Sequence, residues 1–149
     1  GWIPMFLSPY RIDRVYKDSL AHRPPHFEIA AGVTVIVTDD IQAGLDQIKQ
    51  NVGFYVGGMG AKSFNVHKDH IGRLGFADAA QEIQDLFMSG KRDDAMAAVP
   101  NELADEISLV GPKERILERL QAWKDSDVTS LTIGTRDMET LEFMAEELA

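Results

Sequence analysis

No cysteine occurs among the 149 residues. Disulfides and thiolate metal sites are therefore excluded, which fits the expectation of a cytoplasmic protein. No apolar run approaches the roughly 18 residues that a membrane-crossing helix needs. The longest candidate, Ile29 to Val37, suits a buried strand. Positive charge is also scarce: 15 Lys and Arg stand against 24 Asp and Glu, for a formal net charge of −9. A chain this acidic lacks the clustered cations that nucleic-acid phosphates or polybasic membrane anchors require, so neither nucleic acid nor a membrane is an expected partner. The sequence does not open with Met, and its first residues do not have the pattern expected of a signal peptide. The opening Gly1-Trp2-Ile3-Pro4-Met5-Phe6-Leu7 has the character of the middle of a protein, and the expectation is a fragment of a longer chain.

What is present is ordinary for a globular protein: 44% hydrophobic and 26% charged residues over a length that suits one domain, residues 1–149. Residues 2–7 read as a short buried strand, and 10–21 as a helix with Ile12, Val15, Tyr16 and Leu20 on one side. Phe27 to Val37 is the clearest strand. Its β-branched run Val33-Thr34-Val35-Ile36-Val37 is the pattern of a strand covered on both faces. Thr38-Asp39-Asp40 then supplies helix N-cap chemistry, and Ile41, Leu45, Ile48 and Val52 follow at helical spacing. Gly57 to about Gly75 is Gly-rich and polar, which predicts an irregular connection. Ile83, Leu86 and Phe87 mark a helix ending near Gly90, with shorter helices over 92–98 and 101–107. Gly111-Pro112 opens a further helix striped by Ile116, Leu117, Leu120 and Trp123; Val128 to Ile133 is another strand; Met138 to Leu148 is a final helix.

Strands alternating with helices imply an α/β fold with a parallel sheet. A complete (β/α)8 barrel takes about 250 residues. By spacing alone, three consecutive βα units of such a barrel with an extra helical insertion, and a small open sheet, both fit.

Four ordered stretches carry a family resemblance. Gly1-Trp2-Ile3-Pro4-Met5-Phe6-Leu7-Ser8-Pro9 resembles the sixth-strand segment of luciferase-like flavin oxidoreductases. Phe54-Tyr55-Val56-Gly57-Gly58-Met59-Gly60-Ala61-Lys62-Ser63-Phe64-Asn65 resembles the region after the seventh-strand helix, most closely in the branch using the deazaflavin coenzyme F-420. Ser108-Leu109-Val110-Gly111-Pro112-Lys113-Glu114-Arg115 resembles the family turn that starts the helix before the last strand, and Asp127 to Gly134 resembles the eighth strand. The resemblance implies the C-terminal portion of a TIM barrel, matching the sixth to eighth units. It implies hydride transfer between deazaflavin and a small organic substrate, with FMN as the alternative cofactor. The family's first five units have no counterpart here, so the chain alone is expected to be inactive, and to associate with itself or with the missing N-terminal part. A non-enzymatic, oligomerising part-barrel module is the reading from another class.

The resemblance implies a cofactor role for Phe6 and Ser8 at the end of the first strand, and for Phe54 and Tyr55 as ring-facing aromatics. Packing and turn roles suit the same residues. Gly57 and Gly58 would let backbone approach a ligand, with Lys62 meeting an anionic tail. A Walker loop is excluded, because Ala61 stands where its last Gly must be and the segment follows a helix. His67 and His70 share a helical face, yet a third ligand is not evident and the resemblance implies no metal. No Ser-His-Asp order or paired carboxylates single out a catalytic residue, which disfavours hydrolases.

Overall fold

A computed structural model describes residues 1–61 and 63–148. The chain forms two compact units: Gly1–Gly44 with Glu106–Ala149, and Leu45–Asp105. In the first unit, β1 (Ala30–Val37) is the central strand, flanked by β2 (Ser108–Gly111) and β3 (Ser130–Gly134). Both pairings are parallel: Thr34–Val37 lie beside Ser108–Gly111, and Ala30–Thr34 beside Ser130–Gly134. The class is therefore α/β with a parallel sheet. The helices of this unit are α1 (Ile12–Leu20), the start of α2 (Ile41–Gly58), α7 (Lys113–Lys124) and α8 (Met138–Leu148).

The period of two along β1 divides the sheet into unlike faces. Ala31, Val33 and Val35 join Leu109, Ile12, Ile29, Ile116, Leu120, Trp123 and Met144 in one buried cluster. α7 belongs there because Ile116, Leu120 and Trp123 recur at helical spacing, while Glu114, Glu118 and Gln121 stay exposed. Pro112 precedes its first turn and supplies the carbonyl that the Ile116 N–H donates to, at 3.1 Å. The loops before β1 and β3 are tied by Arg23, whose two terminal nitrogens donate to the two Asp127 oxygens at 2.7 Å each. That hydrogen bonding holds the Asp127 carboxyl below its ordinary pKa.

Three expectations need correction. Residues 2–7 do not form a strand; only Trp2 bridges Ile29, with Trp2 N–H donating to Glu28 and Ala30 N–H donating to Trp2. The next ladder bond would need an N–H from residue 4, and Pro4 has none. Further along, Thr34–Val37 are already paired with β2. Ser108–Gly111, expected as a turn, is itself that strand, ending at Gly111 with φ +136°. Finally, β1 is not covered on both faces: Gly32 and Thr34 are exposed.

The second unit is helical and corrects the expected irregular stretch 57–75. α2 continues to Gly58, α3 spans Val66–Ile71, and a kinked segment, Gly72–Phe76, leads into α4 (Ala77–Met88). The kink in that segment falls on Gly75, φ +106°, a left-handed conformation that glycine adopts without steric cost. Asn65 explains why α3 starts where it does. Its side-chain oxygen accepts from the N–H groups of His67 and Lys68 at 3.1 and 3.0 Å, and its amide donates to the Val56 carbonyl at 2.7 Å. α5 (Arg92–Ala97) and α6 (Asn101–Glu106) match the expected short helices, with Ala95, Met96, Leu103 and Ala104 buried. Among the described residues no helix is long and apolar enough to cross a membrane.

Candidate functional site

The second face of the sheet is lined by exposed residues. Its C-terminal end is closed by the start of α2: a Cβ on Gly44 would stand 2.4 Å from Val110 and 3.8 Å from Ile36. Asp40 places that helix by accepting from Ala43 N–H at 3.0 Å, while Asp40 N–H donates to Thr38 Oγ1 at 3.1 Å. The rest of the face is open. Gly32, Thr34, Ser130, Thr132 and Gly134 are all exposed. Gly32 lies beside Thr132, and Thr34 beside Gly134. Nothing stands within 4 Å of a Cβ placed on Gly32. The result is a shallow, uncharged strip of backbone and hydroxyl groups. A planar ring fits such a strip, because glycine admits its face and Thr or Ser hydroxyls donate to or accept from its edge. Nothing on it suits a metal, and among the described residues no group of three metal-ligating side chains occurs.

Phe6 and Ser8, expected at a strand end, belong to an irregular segment of the same unit. Ser8 is fully buried, and its hydroxyl donates to Glu106 Oε2 at 2.7 Å. Arg11 grips the same carboxylate in a bidentate pair, Nε to Oε2 and Nη2 to Oε1, each at 2.6 Å. Phe6 has φ +53°, and among the described residues no other non-glycine residue has a positive φ. For a bulky residue that conformation costs on the order of 1–3 kcal/mol, which the surroundings must offset.

The other expected site residues lie in the second unit. Phe54 is exposed and sits edge-on to both Tyr55 and Phe87, with ring centroids 5.9 and 6.3 Å apart. Tyr55 also packs edge-on against His67 at 5.1 Å, and burial lowers the His67 pKa. Gly57 and Gly58 occupy the last turn of α2, where a Cβ would lie 2.5 and 2.7 Å from the Phe87 side chain. Close helix contact thus accounts for glycine at both positions. Lys62 lies outside the described residues.

Sequence reasoning passed over Arg11, Glu106 and the open strip. The first two sit 95 positions apart, and nothing local pairs them. The strip did leave a signal: Ala30, Gly32 and Thr34 alternate with Ala31, Val33 and Val35. The small, polar half of that alternation marks a face without a hydrophobic neighbour.

Residues 10–130 match the model of the luciferase-like monooxygenase family. Rv3520c of Mycobacterium tuberculosis, which carries the name of a coenzyme F-420-dependent oxidoreductase, is 33% identical over 154 aligned residues, covering 97% of this chain. The chain spans 44% of the length of that relative. The coenzyme F-420-dependent tetrahydromethanopterin reductase of Methanopyrus kandleri shares the fold, with a TM-score of 0.58 and 19% identity over 80% of this chain and 34% of the reductase chain.

Proposed function

The chain belongs to the luciferase-like monooxygenase family, and from that premise we propose that it forms part of a coenzyme F-420-dependent oxidoreductase. The observation that carries this reading is the identity to the mycobacterial relative along nearly the whole chain, set beside a parallel sheet whose open face is small and uncharged. In this reading β1, β2 and β3 stand in a (β/α)8 barrel, and the strip of Gly32, Thr34, Ser130, Thr132 and Gly134 faces its interior. β2 and β3 are the edge strands of the sheet, and edge strands are templates for further pairing. The remaining barrel strands, or a second copy of the chain, would supply that pairing.

Bound deazaflavin supplies the hydride chemistry, at its C5 position. The chain's own residues have simpler tasks. Gly32 admits the ring plane to the sheet, Thr34 and Thr132 offer hydroxyls to its polar edge, and Phe6 walls one side. The strip carries no acid or base, so proton handling and substrate choice belong to loops beyond it.

Equilibrium titration of the full-length protein distinguishes the two cofactors. Saturable quenching of F-420 fluorescence is expected, with FMN bound at least about tenfold more weakly, a difference of about 1.4 kcal/mol. FMN binding as tight as or tighter than F-420 would turn the assignment to a flavin monooxygenase.

A further inference from the structure

The α3–α4 pair of the second unit holds more hydrogen-bond donors than acceptors at one buried point. Lys68, half-buried on α3, donates its ammonium to Gln84 Oε1 at 3.0 Å and to Gln81 Oε1 at 3.1 Å. Both partners are neutral amides, and among the described residues no carboxylate pairs with this lysine. Gln84 is 1% exposed, and its Nε2 group has no hydrogen-bond partner among the described residues. Turning the amide round does not relieve this, because its nitrogen would then face the ammonium, donor against donor. A buried N–H without an acceptor is costly, and native proteins leave few of them.

Local structure places both groups. Asn65 Oδ1 accepts from the Lys68 N–H at 3.0 Å, which fixes the root of the lysine at the start of α3. On α4, Gln84 is buried with Ala80 and Ile83, while Asp78, Glu82 and Asp85 are exposed. At helical spacing those carboxylates lie on the opposite side of α4 from Gln84.

We infer that Lys68 and Gln84 form a binding site for the carboxylate of a small organic acid. The ammonium has three N–H groups, of which the two amides engage two. A carboxylate brings negative charge and two acceptor oxygens, one for the third ammonium N–H and one for Gln84 Nε2. The depth of Gln84 restricts the ligand to a slender group, and entry requires the Lys68 side chain to move aside. A buried water molecule would satisfy Nε2 but would leave the ammonium without a counter-charge. The site lies wholly within the second unit and stands apart from the deazaflavin reading.

Formate is the probe, added to the full-length protein at constant ionic strength against sodium chloride. The Gln84 side-chain NH2 signals in nitrogen–proton NMR spectra, identified by their loss in Gln84→Glu, are expected to shift saturably with formate. The melting temperature is expected to rise in parallel. Lys68→Met keeps the apolar stem and is expected to weaken formate binding at least about tenfold. Gln84→Glu puts an acceptor in place of the orphan donor and gives Lys68 an internal carboxylate, so it is expected to abolish the rise in melting temperature with formate. Inorganic phosphate, which is bulkier, is expected to bind more weakly than formate, and tighter phosphate binding would overturn the carboxylate assignment. An equal shift with chloride, or a formate response unchanged in Lys68→Met, would overturn the site and leave Lys68 as a tie between α3 and α4.

Discussion

Trp123→Ala is expected to lower the free energy of unfolding by about 3–5 kcal/mol, the range for deleting a buried indole from a packed core. Trp123 is 2% exposed and closes the α7 side of the sheet together with Ile116 and Leu120. A small domain holds only about 5–15 kcal/mol in total, so this one change removes a large share of it. Chemical denaturation followed by circular dichroism measures the loss. Leu117→Ala is the internal comparison, because Leu117 lies on the same helix at 37% exposure. Its expected cost is below about 1 kcal/mol. Equal costs for the two variants would mean that α7 presents a different face to the sheet.

Gly57→Ala carries the second large effect, and its sign is the informative part. Alanine within a helix is favoured over glycine by up to about 1 kcal/mol, and this gain is at most that large in the last turn, where Gly57 lies. Against that, the added Cβ would lie 2.5 Å from Phe87 Cβ and 2.6 Å from its Cγ. Those atoms are tied closely to the α4 backbone, so the helices must separate rather than a side chain swing away. Overpacking of this kind costs about 1–3 kcal/mol, and the net expectation is a loss of up to about 2 kcal/mol. A double-mutant cycle with Phe87→Ala isolates the contact, because removing the ring should cancel most of the Gly57→Ala penalty. Stabilisation by the single Gly57→Ala change would show that the glycine is not there for helix contact.

Much of the fold was legible because its signals are local. The β-branched run ending at Val37, the Asp40 cap, the Pro112 start of α7 and the striping of Ile116, Leu120 and Trp123 all act within a few residues of themselves. The misreadings came where a distant partner decides the outcome. Residues 2–7 are apolar enough for a strand, but Pro4 cannot donate to the ladder and β2 holds the adjoining stretch of β1. β2 spans only four residues, too few for any period to register, and its strand character comes from pairing with Thr34–Val37. The glycines of 57–60 suggested a loop; two of them end a helix because Phe87, thirty positions from Gly57, requires the space. The candidate site divided in the same way. Phe6 and Ser8 were singled out through resemblance alone, whereas Arg11 and Glu106 are joined only by the folded chain. The open strip was written in the alternation along β1, where a small polar half was masked by the density of β-branched residues.

Gly32→Val tests most directly whether the open face of the sheet serves the cofactor. Nothing lies within 4 Å of a Cβ there, and a β-branched residue suits a strand interior better than glycine by roughly 0.5–1 kcal/mol. The melting temperature is therefore expected to hold or rise. In the same protein the added methyl groups occupy the strip between Thr34 and Thr132, and F-420 affinity is expected to fall at least about tenfold, or about 1.4 kcal/mol. A Gly32→Val protein that binds F-420 as tightly as the unaltered one would contradict the account, because the cofactor would then have to lie elsewhere.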